Sequence, residues 1–417
     1  MKIAIIGSGI AGNTLAYHLH HQHEVTVFEA NAHIGGHTHT HNIHIFGKQY
    51  QVDTGFIVFN DRTYPNFIAL LNQLNVTWQP SNMSFSVRDE ASGLEYNGTS
   101  LNSLFAQRSN LLNPRFYRMI RDILRFNKQC LELLHDGTEI TLGNYLAQGR
   151  YSQQFIDHYI IPMGSAIWST DAAQMLSFPA RFFVRFFHHH GFLTVNDRPQ
   201  WRVIQGGSHS YVEKLTESFK ANIKLNTPIE SVRRLKNTVK VKPVNQDEQT
   251  FDYVFFACHS DQALTLLGKD ATPAEREILG AIPYQENTIY LHHDRIMMPK
   301  RKLAWAAWNY HVTTTPSNKV QVTYNMNILQ GLQSPEPILV TLNHVDWINP
   351  AKVIKRLTYM HPLYTVAGAA AQARHAEISG HNRTAYAGAY WRNGFHEDGV
   401  VSALAALQHF EQSQHVS

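Results

Sequence analysis

The sequence predicts an α/β protein of two domains, and three observations carry that reading. Lys2 to Ile6 is a short β-branched run, Gly7-Ser8-Gly9-Ile10-Ala11-Gly12 follows at once, and Asn13 to His20 reads as a helix with Leu15, Ala16 and Leu19 inward. Val25-Thr26-Val27-Phe28 then makes a second strand ending in Glu29, which closes a βαβ unit. Finally, 417 residues exceed the roughly 250–300 at which one hydrophobic core stops growing, so the chain divides.

Each part of the opening unit has a physical task. Gly7 permits the tight turn, Gly9 lets a pyrophosphate approach the backbone, and Gly12 lets helix and strand pack closely. The helix start, with Ser8, Ile10 and Ala11, presents free N–H groups and the positive end of the helix dipole to phosphate. Glu29 is placed to accept hydrogen bonds from an adenosine ribose, and its charge disfavours a 2′-phosphate, which leaves FAD or NAD.

Composition excludes other classes. With 43% apolar and 16% charged residues the chain can bury a core, so disorder and collagen-like repeats are excluded. Basic residues exceed acidic ones by only 36 to 32 and form no block, so no nucleic-acid partner is expected. The two cysteines, Cys130 and Cys258, lie far apart and offer neither a disulfide framework nor a zinc site. No run approaches the roughly 20 apolar residues that span a bilayer, and Met1 leads straight into a strand, so the expected location is cytoplasmic. His37, His39 and His41 would share one face of a strand, but no carboxylate accompanies them and no metal is expected. His18, His20, His21 and His23 are expected at the exposed end of the first helix.

After Glu29 the chain reads Ala30-Asn31-Ala32-His33-Ile34-Gly35-Gly36-His37-Thr38, then Val52-Asp53-Thr54-Gly55-Phe56. Here it resembles the flavin-containing amine oxidase and phytoene desaturase superfamily, which follows its ribose-binding Glu with a Gly-Gly-Arg and an Asp-x-Gly segment. The resemblance makes the cofactor FAD. It assigns Ala30, Gly35, Gly36, His37, Thr38, Thr54, Gly55 and Phe56 to cofactor contact, and Ile229 in Pro228-Ile229-Glu230-Ser231-Val232 to the adenine. Trp201 to Ser208 resembles the segment by which the family re-enters its FAD domain. Gly388-Ala389-Tyr390-Trp391-Arg392-Asn393-Gly394-Phe395-His396-Glu397-Asp398-Gly399-Val400 resembles its closing flavin motif, with Gly388 in the loop and Gly399 and Val400 against the pyrimidine side of the ring. No cysteine falls in that motif, so the flavin is expected to be non-covalent.

The sequence departs from the family pattern in three places. His37 replaces an arginine, and an imidazole with an ordinary pKa near 6.5 makes flavin affinity respond to pH unless it stays a neutral donor. Ala389 replaces an acidic residue and Ala403 a glycine, which would loosen the ring site.

The resemblance implies a Rossmann-like FAD-binding domain from residues 1–78, 201–275 and 366–417. It is interleaved with an α+β substrate domain, residues 79–200 and 276–365, built on a mixed, mainly antiparallel sheet. A finer likeness, through Val52 to Asn60, Tyr64-Pro65-Asn66-Phe67 and Gly394 to Gly399, is to a bacterial subgroup of NAD/FAD-binding proteins, some of which dehydrogenate methylated fatty acyl chains. The implied function is FAD-dependent oxidation of a largely apolar small molecule, with a methylated fatty acyl chain as one substrate, by hydride transfer to flavin N5; the electron acceptor is unknown. An amine oxidase and a flavin-binding protein without turnover are the alternatives.

His396 and Glu397 are the candidate catalytic bases, with loop geometry and helix capping as their structural roles. The resemblance implies a lysine held by water near flavin N5, and Lys300 and Lys302 occur in the matching region, with nothing in their spacing that selects either. Leu101 to Lys128 reads as a basic amphipathic helix through Arg115, Arg118, Arg121, Arg125 and Lys128, suited either to solvent or to peripheral contact with an anionic inner-membrane surface. The aromatics of Arg181 to Phe187, and Trp305, Trp308, Tyr310 and Tyr324, are candidates for core or cavity wall.

Overall fold

The computed structural model describes residues 1–135, 140–194, 198–314 and 319–415. Strand Lys2–Ile6 lies between Glu24–Phe28 and Tyr253–Phe256, and the sheet extends to Ile223–Lys224 on one side and Thr384–Tyr386 on the other. All four pairings are parallel. Ile6 is level with Phe28 and with Phe256, so three central strands release their chains at one carboxyl edge, where open α/β sheets bind ligands. Ile3, Ala4 and Ile5 are fully buried, as a strand covered on both faces requires.

The first helix spans Ile10–Leu19, three residues earlier than the sequence pattern suggests, because Gly9 in an extended conformation closes the turn and acts as N-cap. Gly12 therefore lies inside the helix. Ala11, Leu15, Ala16 and Leu19 pack with Ala403, Ala406, Leu407 and Phe410 of the closing helix, His396–His415. Ala403, where the family has glycine, is fully buried in that contact rather than loosening it.

The second large sheet has seven strands in the order Val353–Pro362, Tyr284–His292, Leu339–Leu342, Val322–Asn325, Trp308–Val312, Phe85–Asp89 and Glu95–Asn97. Every pairing is antiparallel except that of Trp308–Val312 with Phe85–Asp89, so the sheet is mixed and mainly antiparallel as expected. Helices from 114 to 189 cover it, and Phe126, Phe155, Trp168, Phe183 and Phe187 fill the core beneath them. All strands of the parallel sheet fall within 1–78, 201–275 and 366–417, and those of the seven-stranded sheet within 79–200 and 276–365.

The expected helix over Leu101 to Lys128 is broken. Leu101–Leu104 is one short turn, Arg108–Leu112 a 3₁₀ turn, and the long helix runs Pro114–Gln129. Asn113 starts it by accepting from the Arg115 N–H, with Pro114 at the first position, where a missing N–H costs nothing. No helix among the described residues is long and apolar enough to cross a membrane.

Candidate active site

At the carboxyl edge of the parallel sheet several loops meet, and glycines decide how closely. Gly7, at φ +107°, turns where a Cβ would press on the Ala257 carbonyl, and a Cβ on Gly12 would collide with the Gly7 carbonyl oxygen. Gly9 differs: a Cβ there would meet no heavy atom within 4 Å, so this glycine faces open space at an uncapped helix start with no acidic residue in its first turn. That is the environment a diphosphate requires.

The other assigned segments gather around this turn. Gly36, at φ +59°, lies where a Cβ would stand 3.1 Å from the Gly9 Cα, and Gly399 lets the closing helix approach Ile10, where a Cβ would collide with Ile10 Cγ2. Two segments from opposite ends of the chain thus converge on the first glycine turn. Gly35, at φ +120°, passes its N–H to the Ser8 carbonyl. Gly55 is small for a different reason: a side chain there would run into the His37 carbonyl, which accepts from the Phe56 N–H at 2.8 Å. Gly388 donates its N–H to Ser402 Oγ, and that hydroxyl donates to the Gly399 carbonyl, which fixes the closing loop on the closing helix. Val400 is buried beside Ile10 and Phe56. Ala30 is exposed, and Ile229 sits two residues from Thr227, whose N–H donates to the Glu29 carbonyl.

Glu29 is buried and already well satisfied. Its Oε2 accepts from the Ser8 N–H (2.9 Å) and hydroxyl (2.6 Å), its Oε1 from the Asn31 N–H (2.8 Å) and amide (2.9 Å). These four donors occupy about the four lone-pair sites a carboxylate offers, so its first role is to hold the turn to the second strand. Asp53 does the same between sheets. Fully buried, it accepts from Ser208 N–H and Oγ, Thr40 Oγ1 and Gln330 Nε2, and burial pushes its carboxyl up to about 6.

His37 lies among His259, Tyr359 and His361, with its Nε2 buried and without a partner. Burial, then His259, pulls its pKa down to about 4. It is a neutral group at pH 7, so the expected pH response near 6.5 gives way to the neutral-donor role. His39 stacks on His33 and reaches Tyr359, and His41 contacts Thr54 and Lys355. His37 therefore does not join the other two on one face.

Neither candidate base stands free. Glu397 accepts from the Asn66 N–H and amide and from the Phe67 N–H (2.8 Å), capping helix Pro65–Gln73. His396 stacks on Phe56 at 3.6 Å, and its Nε2 lies 2.7 Å from Tyr211 OH and 3.0 Å from Thr38 Oγ1. Burial holds its imidazole well below the ordinary value. Glu397 thus caps that helix, and His396 ties the closing loop to Tyr211 and Thr38. Lys300 and Lys302 are exposed, and neither is in the described wall of the two cavities below.

An apolar cavity of about 130 Å³ runs from the closing loop into the second domain. Phe395, Val58 and Tyr64 stand at the loop end, Phe85 and Trp308 form a floor from the seven-stranded sheet, and Arg198 is the one charged residue in its wall among the described residues. A neighbouring cavity of about 300 Å³ shares Met83, Phe192, Arg198 and Trp201 with it and adds His190 and Gln200. Phe186 of helix Ala180–His189 lines the wall, whereas Phe182, Phe183 and Phe187 are core.

A family model for flavin containing amine oxidoreductases matches residues 10–298, well over half of the chain. The chain belongs to that family. This flavin-dependent oxidoreductase shares its fold along its whole length with three solved structures. They are cyclohexylamine oxidase from Brevibacterium oxydans IH-35A (15% identity, TM-score 0.67, 98% of this chain and 99% of that one), a putative protoporphyrinogen oxidase from Exiguobacterium sp. 255-15 (17%, 0.71, 99% and 99%) and the CLA-producing fatty acid isomerase from P. acnes (17%, 0.69, 98% and 98%). No curated protein matches the sequence significantly. Sequence reasoning missed Arg198 and Tyr211, neither of which sits in a motif. Their positions come from tertiary packing.

Proposed function

We propose that this flavoprotein binds FAD non-covalently and oxidises a long apolar substrate with an anionic head, of the fatty acyl class. One observation carries the reading: among the described residues the cavity wall contains no carboxylate, and its only charged group is the cation Arg198 at the end shared with the neighbouring cavity. A cationic amine would enter that wall unpaired and near like charge, whereas a carboxylate would meet a guanidinium. The open space at Gly9, the uncapped helix start and the unpartnered Nε2 of His37 suit a diphosphate-bearing cofactor.

When bound, FAD supplies the redox chemistry by taking hydride from the substrate. The chain binds, aligns and excludes water. Trp308, Phe85, Phe186 and Phe395 wall the cavity against an apolar chain. Tyr64 lines the cavity beside Phe395 of the closing loop, and burial pushes its pKa far above 10, so its phenol stays protonated and does not act as a base. The exposed cationic face of Pro114–Gln129 sets the same domain against an anionic lipid surface.

Family membership favours a second reading, amine oxidation, and the aromatic wall could hold a cation through its ring faces. Anaerobic mixing with methyl-branched fatty acids and, separately, with primary amines and polyamines distinguishes the two. The expected result is loss of yellow colour with the acids, and a KM raised about tenfold or more in Arg198→Gln with kcat little changed. Bleaching by amines alone overturns the acyl reading, and a purified protein that cannot take up FAD overturns both.

A further inference from the structure

Strands Phe85–Asp89 and Trp308–Val312 run parallel with Asp89 level with Val312, so Glu90 and His311 come together at one end of the seven-stranded sheet. The chain after Leu339–Leu342 delivers His344 to the same place. One ligand atom from each of Glu90, His311 and His344 lies within 4.8 Å of the others. Both histidines are only 6% exposed.

Their polar atoms are poorly used. Both ring nitrogens of His311, Nδ1 of His344 and Oε1 of Glu90 are buried without a hydrogen-bond partner. His311 Nε2 approaches Glu90 Oε1 to 2.8 Å but not along a hydrogen-bond direction. Unpartnered buried donors and acceptors are costly, and natural cores rarely cluster several without a reason.

We infer that Glu90, His311 and His344 form a binding site for a divalent transition-metal ion, zinc being the best match, with at least one coordination position left for water or another ligand. Two imidazoles and one carboxylate are a donor set for zinc and its neighbours and ill suited to calcium or magnesium. The second layer exists: Glu90 Oε2 accepts from the Thr314 N–H at 3.2 Å and hydroxyl at 3.3 Å, which orients the carboxylate. Trp347 stands edge-on to His311 at 5.3 Å and shields one side. Arg88 is the nearby opposing charge, and its guanidinium is turned to the carbonyls of Ile296 and Met298. None of the three ligands lines the substrate cavities, so the ion would tie two strands and a loop of the substrate domain together without entering the redox reaction. The sequence analysis expected no metal, because these residues are spread over more than 250 positions and carry no spacing signature.

The test is zinc and cobalt(II) titration of chelator-treated, flavin-loaded protein beside Glu90→Gln and His344→Gln. The expected result is one tight equivalent of zinc in the wild type, a rise in melting temperature on adding it, and a visible cobalt band of a low-coordinate site. Both variants should lose about tenfold or more in affinity and the thermal shift while keeping flavin and turnover. With 26 histidines in the chain, weaker binding elsewhere is expected and is unaffected by either variant. Equal tight binding in wild type and both variants, or no tight equivalent in the wild type, overturns the site. If His344→Gln does not fold, Glu90→Gln decides alone.

Discussion

Gly9 and Gly12 stand three residues apart in one turn and face different neighbours. A methyl on Gly9 points into open space from an ordinary extended backbone, whereas a methyl on Gly12 meets the Gly7 carbonyl. Gly9→Ala is therefore expected to fold with stability within about 1 kcal/mol of wild type yet lose its flavin. Gly12→Ala is expected to lose about 2 kcal/mol or more before any effect on cofactor. Denaturant unfolding and flavin content separate the two; a Gly9→Ala protein that stays yellow would show that the diphosphate does not pass this turn. The pattern Gly7-Ser8-Gly9-Ile10-Ala11-Gly12 made both positions legible, since a turn this tight is a local demand on backbone and Cβ. The capping and loop-holding roles of Glu397 and His396 were legible, but their partners Asn66, Phe67, Tyr211 and Thr38 were not, because these come from distant parts of the chain.

Among the elements, helix Pro114–Gln129 shows both the strength and the limit of periodicity. Its apolar stripe buries Phe116, Met119 and Phe126 as a 3.6-residue repeat requires, while Arg115, Arg118, Arg121 and Lys128 are exposed. Its one acid, Asp122, is buried, receiving the Ser152 N–H and pairing with Arg125 at 3.3 Å, so the outer face is purely cationic. Leu112, 90% exposed, and Leu101, 78% exposed, lie in the two short turns before it, where bare leucines suit an acyl layer. Vesicles of anionic lipid are expected to co-sediment the protein and uncharged vesicles not, and Arg118→Glu with Arg121→Glu should abolish the difference. Equal recovery on both vesicle types would contradict membrane docking. The break at Asn113-Pro114 was readable in the residues, yet the longer run of apolar and basic positions masked it.

At the scale of the whole molecule, buried neutral histidines set the response to acid. Burial brings His37, His41, His190 and His259 to about 4, and His292 and His361 to about 3. Between roughly pH 6.5 and 4 the unfolded chain binds protons at these sites and the folded protein does not, so stability present above 6.5 is lost as pH falls. Asp53 and Asp398, raised to about 6 and about 7, act in the opposite sense over the same window but are fewer. Each such group weighs about 1.4 kcal/mol per pH unit when fully buried and less when solvent reaches it. The melting temperature is expected to hold from pH 8 to 6.5 and drop steeply by pH 5; an unchanged value at pH 5 would mean that these rings are already charged in the folded state.

The sequence by itself determined the opening βαβ unit, the family and the parallel sheet, because glycine turns, β-branched runs and helical periodicity act over a few residues and leave a pattern in order. Tertiary structure alone decided which carboxylates are engaged in holding loops, where Arg198 stands in the cavity wall, and that Glu90, His311 and His344 meet. Those properties depend on which distant surfaces are pressed together and cut off from water, and neither burial nor proximity across hundreds of residues is written in local spacing.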